Sequence, residues 1–197
     1  YDVRDGRLCG VEALLRWNSH VFGPVSPADF IGLAEETGLI VPIGEWVLRE
    51  ACRQGRSWLA AGVPVPRIAV NVSAVQFVQH GFVERVARVL AETGLAPQTL
   101  ELELTEGALI RDEHNAIESL KALKQRGVQL AIDDFGTGYS SLSRLKEFPI
   151  DRLKIDRAFV NEIGSDPGSR AIAVAVIAMA KSMDLKVVAE GVETAEQ

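Results

Sequence analysis

A (βα)8 TIM-like barrel, present as a fragment lacking its first and last strands, is the fold this sequence predicts, on two observations. Strand-like apolar runs alternate with helix-like segments along the chain, and each of six runs carries a carboxylate, amide or ammonium near its end. The runs are 11–16, 68–71, 100–104, 128–134, 153–156 and 187–190, and the polar residues they carry include Glu12, Asn71, Glu103, Asp133, Lys154 and Glu190. Alternate side chains of a strand point to opposite faces, so Leu100, Leu102 and Leu104 share one face while Glu101 and Glu103 share the other. The same parity sets Ile68 and Val70 against Asn71, and Leu130 and Ile132 against Asp133. One polar strand end is an ordinary core feature; six of the same parity imply a common site.

The elements follow in order. After the first strand, Ser26-Pro27-Ala28-Asp29 reads as an N-cap with proline at the first helical position and an acid close behind. The helix it opens carries Phe30, Ile31, Leu33 and Ala34 and stops near Gly38. A second helix is predicted over 43–60, ending before Gly62 and Pro64, followed by a strand at 67–72 and a helix at 82–92 closed by Gly94. Then come a strand at 100–105, a helix at 114–126 closed by Gly127, and a strand at 128–133. A short helix near 140–147 leads to a strand at 152–155, a helix at 168–183 and a strand at 186–190. Such alternation argues parallel strands joined by right-handed crossovers. No Ser-, Gly- or Pro-rich spacer divides the chain and no internal repeat is apparent.

An open doubly wound sheet satisfies the same alternation, but it gathers its ligand groups at one switch point. Here every strand contributes near its carboxyl end, as in a barrel with its site on that face. Barrels typically take about 250 residues, whereas this chain has 197. It opens almost on a strand, ends one turn into a helix, and its six-stranded arc would leave two unpaired edges. A single domain over 1–197, incomplete at both ends, is therefore expected.

Composition sets bounds. Hydrophobic residues at 47% supply a sizeable core, and a net charge of −6 argues against a nucleic-acid polymer as partner. Two cysteines, Cys9 and Cys52, make neither a disulfide framework nor a zinc pattern, which suits a reducing compartment. The longest apolar stretch, 171–180, is too short to cross a bilayer, so no membrane contact by this segment is expected.

Charge suggests the chemistry. Glu12, Glu103, Asp133, Asp134, Glu190 and Glu193 would repel one another strongly if gathered, and only Lys154 and Arg16 are placed to compensate. Carboxylates plus one Asn carbonyl form an oxygen-only donor set suited to Mg²⁺ or Mn²⁺, and the absence of His and Cys disfavours zinc. The adjacent pair Asp133-Asp134 can bridge or flank two divalent ions, an arrangement that activates water and clamps a phosphoryl group. Asp112, Glu113 and Asp166 read instead as helix caps and solvated loop ends. The stretch Asp134-Phe135-Gly136-Thr137-Gly138-Tyr139-Ser140-Ser141 matches neither a P-loop nor a calcium hand; directly after the paired aspartates it reads as a lid or flap on the metal site.

These residues carry a family resemblance. Glu12-Ala13-Leu14 with Leu15-Arg16-Trp17 resembles the signature of EAL domains, bacterial phosphodiesterases that linearise cyclic di-GMP. The likeness continues through Ser26-Pro27 with Phe30-Ile31, Ala34-Glu35 and Gly38, then Asn71-Val72-Ser73 and Glu103-Leu104-Thr105-Glu106. It extends over Asp133-Asp134-Phe135-Gly136-Thr137-Gly138-Tyr139-Ser140-Ser141-Leu142, Leu153-Lys154-Ile155-Asp156 and Ala189-Glu190-Gly191-Val192-Glu193-Thr194. It implies Glu12, Asn71, Glu103 and Asp133 as ligands of a first metal, and Asp133, Asp134 and Glu190 as those of a second. By the same resemblance, Lys154 holds and polarises the attacking water, Glu190 is the general base, and Glu106 anchors the glycine loop. Leu14 and Arg16 are similar to substrate contacts, Arg16 to a phosphate, and Glu193 to a supporting site acid.

Two departures stand out. Ser19-His20 replaces the family's His-Pro, which changes a surface loop and makes His20 a loop residue, not a ligand. The family's opening Tyr-Gln-Pro strand and its last strand with a substrate-contacting Gln are absent. The activity implied is metal-dependent hydrolysis of cyclic di-GMP to linear pGpG by a two-metal-activated water. The alternative is a receptor that binds cyclic di-GMP without cleaving it; such relatives lose metal ligands or the Asp-Asp pair, and all survive here. A barrel hydrolase for another phosphodiester is a third, more distant reading. A homodimer, fused sensory or cyclase-like domains, and a cytoplasmic setting, free or as part of a membrane-anchored protein, complete the expectation.

Overall fold

The computed structural model describes residues 1–110, 113–136 and 145–197. Six parallel strands form one sheet: β1 (Val11–Ala13), β4 (Ile68–Val72), β5 (Leu100–Thr105), β6 (Gln129–Phe135), β7 (Arg152–Ile155) and β8 (Lys186–Ala189), adjacent in that order. Strands β2 (Trp17–Ser19) and β3 (Gly23–Val25) pair separately as an antiparallel hairpin. Among the described residues, eight α-helices with defined bounds link or follow the strands: α1 (Pro27–Glu36), α2 (Ile40–Ala60), α3 (Ala74–Phe77), α4 (Phe82–Thr93), α5 (Glu106–Ile110), α6 (Glu113–Gln125), α7 (Arg157–Asn161) and α8 (Pro167–Ser182). The result is a parallel half-barrel, a partial (βα)8 barrel, as expected.

Strand parity divides the sheet into two layers. Leu100, Leu102, Leu104, Leu130, Ile132 and Leu153 point outward into the core beneath the helices, meeting Leu120, Leu123 and Val86. Full burial of such a side chain contributes roughly 1.5–3 kcal/mol, so the outer layer dominates stability. The inner face carries Glu12, Asn71, Glu101, Glu103, Asp133, Arg152 and Lys154.

Local signals account for most boundaries. Pro27 opens α1 with Ser26 at the N-cap, although the serine side chain makes no capping bond, unlike the expectation. Gly94 closes α4 in the left-handed region at φ 68°, and Asp166 caps α8 by accepting from the Ser169 amide at 2.7 Å. Helix α2 begins three residues before the expected 43, with Pro42 tolerated in its first turn. The first strand stops at Ala13 instead of running to residue 16, and the hairpin that follows was not expected. It is secured by Trp17, whose ring meets Phe30 edge-on at 5.5 Å. His20 lies exposed in the turn of that hairpin, as a loop residue should. Most of the short helix expected near 140–147 lies outside the described residues.

Gly55 shows how tightly the outer layer is packed. A Cβ there would stand 1.8 Å from Ile68 Cδ1. Gly55→Ala gains about 1 kcal/mol of helix propensity but must displace Ile68. The net expectation is a loss of about 1–2 kcal/mol, read as a lower denaturant midpoint at constant slope; a stabilised variant would contradict this packing.

Candidate active site

The site gathers at the carboxyl ends of the strands. Lys154, on β7, is its centre, with only 4% of its side chain exposed. Its Nζ lies 2.7 Å from Glu103 Oε2, 3.0 Å from Asp133 Oδ1, 2.6 Å from Glu190 Oε1 and 3.8 Å from Glu12 Oε2. Asn71 donates from Nδ2 to Glu12 Oε1 at 2.7 Å, so its carbonyl oxygen remains available as an acceptor. Acids from three strands, β1, β5 and β6, and from the segment after β8 thus converge on one ammonium.

Asp133 and Asp134 both reach the cluster because β6 bulges. Ile132 pairs with Leu153 and Phe135 with Ile155, so two aspartates stand opposite Lys154 alone. Asp134 takes the left-handed conformation at φ 52°. The bulge bends the strand and breaks strict alternation. Ligand oxygens of Asp133, Asp134 and Glu190 consequently lie within 4.8 Å of one another.

The crowding shifts the acids. Burial pushes the Glu103 carboxyl up to about 8, against the pull of Lys154. Burial, then a hydrogen bond with Asp156 and the charge of Asp133, raises Asp134 to about 6. Glu190 is raised by burial. For Lys154 burial acts downward, yet its bonds to Glu103 and Glu190 and the charge of Asp133 prevail and hold it well above the usual lysine range. Glu12, Glu103, Asp133, Asp134 and Glu190 outnumber the single ammonium. An oxygen-only set with surplus negative charge fits hard divalent cations.

The other expected residues are distributed around this centre. Leu14 and Arg16 line a cleft of about 310 Å³ together with Pro27, Asn71 and Thr105. Arg16 Nη1 is held by the Leu15 carbonyl at 2.9 Å. Glu106 begins α5 immediately after β5, and its Oε1 accepts from the Gly136 amide at 3.1 Å. The remainder of the glycine stretch, 137–141, lies outside the described residues, as does Asp112. Glu193 is exposed beyond β8, and its side chain makes no bond to the cluster among the described residues. Asp156 is a site residue that the sequence does not single out; beyond its bond with Asp134, it caps α7 by accepting from Ala158 N at 2.8 Å. Its inward parity with Lys154 was the available signal.

A parallel half-barrel bearing an acidic, lysine-centred site on its carboxyl face is the class these features define. The chain belongs to the EAL domain family, whose sequence model matches residues 1–197. It is similar to MucR of Pseudomonas aeruginosa, a bifunctional diguanylate cyclase/cyclic di-GMP phosphodiesterase, at 50% identity over 193 residues, covering 98% of this chain and 28% of MucR. PdeR of Escherichia coli, a cyclic di-GMP phosphodiesterase, is 42% identical over 192 residues, covering 98% of this chain and 29% of PdeR. The solved c-di-GMP complex of the MucR phosphodiesterase superimposes with a TM-score of 0.93 at 50% identity, covering 97% of this chain and 77% of that one. The chain thus spans under a third of these two curated relatives. No described helix is long and apolar enough to cross a membrane.

Proposed function

We propose that this chain is the catalytic domain of a divalent-metal-dependent phosphodiesterase that opens one phosphodiester of cyclic di-GMP to give linear pGpG. The observation that carries the reading is the convergence of Glu103, Asp133 and Glu190 on the buried Lys154 ammonium, with Asp134 brought alongside by the bulge. Relatives 50% and 42% identical over 98% of this chain are named for that activity.

Glu12, Asn71, Glu103 and Asp133 would hold one cation and Asp133, Asp134 and Glu190 a second, Mg²⁺ or Mn²⁺ by donor chemistry. When bound, such ions acidify water and neutralise charge on phosphoryl oxygens. The protein's own part is to place and deprotonate that water. Lys154 donates to the water and orients it, while Glu190 accepts its proton. The water oxygen then bonds to phosphorus in line as the bond to the ribose oxygen breaks, and that oxygen leaves as a hydroxyl, its proton coming from Glu190 by way of solvent. Arg16 supplies a donor fork for the phosphate, and Leu14 an apolar contact at the cleft mouth. Glu193 is proposed as a supporting acid at the rim.

The test is incubation with cyclic di-GMP and Mg²⁺ or Mn²⁺ and chromatography of the product. pGpG, abolished by excess chelator, is expected; Ca²⁺ should substitute poorly. Tight binding without product would make the chain a receptor instead. Cyclic di-GMP is the partner proposed, with a homodimer, fused sensory or cyclase-like domains and a cytoplasmic site of action.

Two further outcomes follow from the geometry. Glu106→Ala should weaken magnesium affinity by about 10–100-fold, the range for outer-shell partners, because it frees the Gly136 amide next to the aspartate pair. Circular dichroism should stay native; unchanged affinity would reduce Glu106 to a helix-start acid. Magnesium affinity should also rise with pH between about 6 and 8, since Asp134 and Glu103 hold protons below those values and must release them to ligate. Calorimetry in buffers of different ionisation enthalpy reads the released protons directly; a pH-independent affinity would contradict the expectation.

A further inference from the structure

A second charged tier lies on the inner face beneath the site. Glu101 and Arg152 are buried there, at 2% and 6% side-chain exposure, with the Arg152 guanidinium bonded to Glu101 Oε2. Arg67, just ahead of β4, bonds Glu101 Oε1 at 2.9 Å, so both carboxylate oxygens are engaged. The arrangement repeats the tier above it. Strand β5 offers Glu101 and Glu103, strand β7 offers Arg152 and Lys154, and each cation crosses β6 to the corresponding carboxylate. Ala131 is in register with both Glu103 and Arg152, and its methyl group leaves that passage open.

Stability alone is a poor reason for such a tier, since the desolvation of buried ions offsets their attraction. Register is a better one. The β6–β7 ladder is regular at Ala131–Arg152 and Ile132–Leu153, then shifts at Asp133-Asp134, directly opposite Lys154. On the β6 side, where the acids stand, the ladder therefore holds Lys154 least, while its other edge stays in register with Val188 of β8. We propose that Glu101, Arg152 and Arg67 are positioning residues: they lock β7 against β5 just before the bulge and so set the Lys154 ammonium between Glu103, Asp133 and Glu190. The contact stands independently of the activity, but its kinetic consequence rests on the phosphodiesterase reading.

The test is Glu101→Leu/Arg152→Met, which removes the bridge with apolar side chains of similar size. Turnover per folded molecule should fall about ten- to a hundredfold with KM unchanged, as for a small misplacement of a reacting group. In the metal-free protein the Lys154 ammonium cross-peak in ¹H–¹⁵N spectra, assigned by its loss in Lys154→Gln, should shift. Glu101→Gln, which keeps shape and one acceptor, should recover part of the loss. A folded double variant with wild-type turnover and an unmoved Lys154 resonance overturns the proposal. Should the double variant not fold, Arg67→Met carries the same two readouts with a smaller expected loss, and equality with wild type overturns it equally. If the wild type makes no pGpG, the function reading fails, while the Lys154 resonance still decides the positioning role.

Discussion

Lys154→Ala is expected to lower turnover by about 10²–10⁴-fold, the usual contribution of a positioned proton-handling group, while affinity for cyclic di-GMP changes far less. The ammonium touches three acids at 2.6–3.0 Å and is itself nearly inaccessible, so in the proposed mechanism it serves the water and its developing charge, not the bulk of the ligand. Its removal has a second signature. Above about pH 8, where Glu103 is ionised, it would be left buried without its cation, and breaking a buried pair typically costs about 3–5 kcal/mol. The metal-free variant should therefore melt well below the wild type, and divalent cations should recover much of that difference by replacing the lost charge. Glu190→Gln should give the same split between rate and affinity with a smaller effect on melting, because Lys154 keeps Glu103 and Asp133. Single-turnover rates, paired with equilibrium binding in Ca²⁺, separate the two quantities. Parallel loss of rate and affinity would show that these residues hold the ligand, and the receptor reading would gain ground.

How far these residues could be read in advance follows from period and distance. Leu100 to Thr105 alternates so cleanly that its two faces were legible from the sequence, and β4, β7 and β8 follow by the same parity. The hairpin at Trp17–Ser19 and Gly23–Val25 escaped because three-residue strands are too short to show alternation. Helices α5 and α7, five residues each, span little more than one turn and show no period. The aspartate pair is subtler. Strict alternation would send Asp133 and Asp134 to opposite faces, and only the bulge, with Asp134 at φ 52°, brings both to one site. Adjacent acids before a glycine stretch hinted at a site without revealing that backbone device. The Glu101–Arg152 bridge joins residues 51 positions apart through the stagger of three strands. A single sequence carries the charges of that bridge but not their meeting.

Asp133→Ala should abolish most metal-dependent turnover, by more than the 10–100-fold that outer-shell changes typically cost, and it should do so without unfolding the protein. The kinetic argument rests on Asp133's place in both proposed ligand sets, at the bulge between Glu103 and Asp134, so one substitution weakens two cation positions. The structural argument concerns what remains. Lys154 keeps Glu103 at 2.7 Å and Glu190 at 2.6 Å, so no buried cation is left alone. One negative charge fewer relieves repulsion among the remaining acids, and alanine follows Ala131 on the same inner face of β6. Metal-free melting should therefore stay at or above the wild-type value, the reverse of the Lys154→Ala result. Asn71→Ala should show a milder form of the same behaviour, since it removes one neutral oxygen and the 2.7 Å bond that steadies Glu12. Magnesium titrations followed by calorimetry, alongside turnover at saturating metal, distinguish weakened binding from impaired chemistry. Undiminished turnover of Asp133→Ala, where Asp133 is the one residue shared by the two proposed ligand sets, or wild-type turnover in excess chelator, would sink the two-metal mechanism.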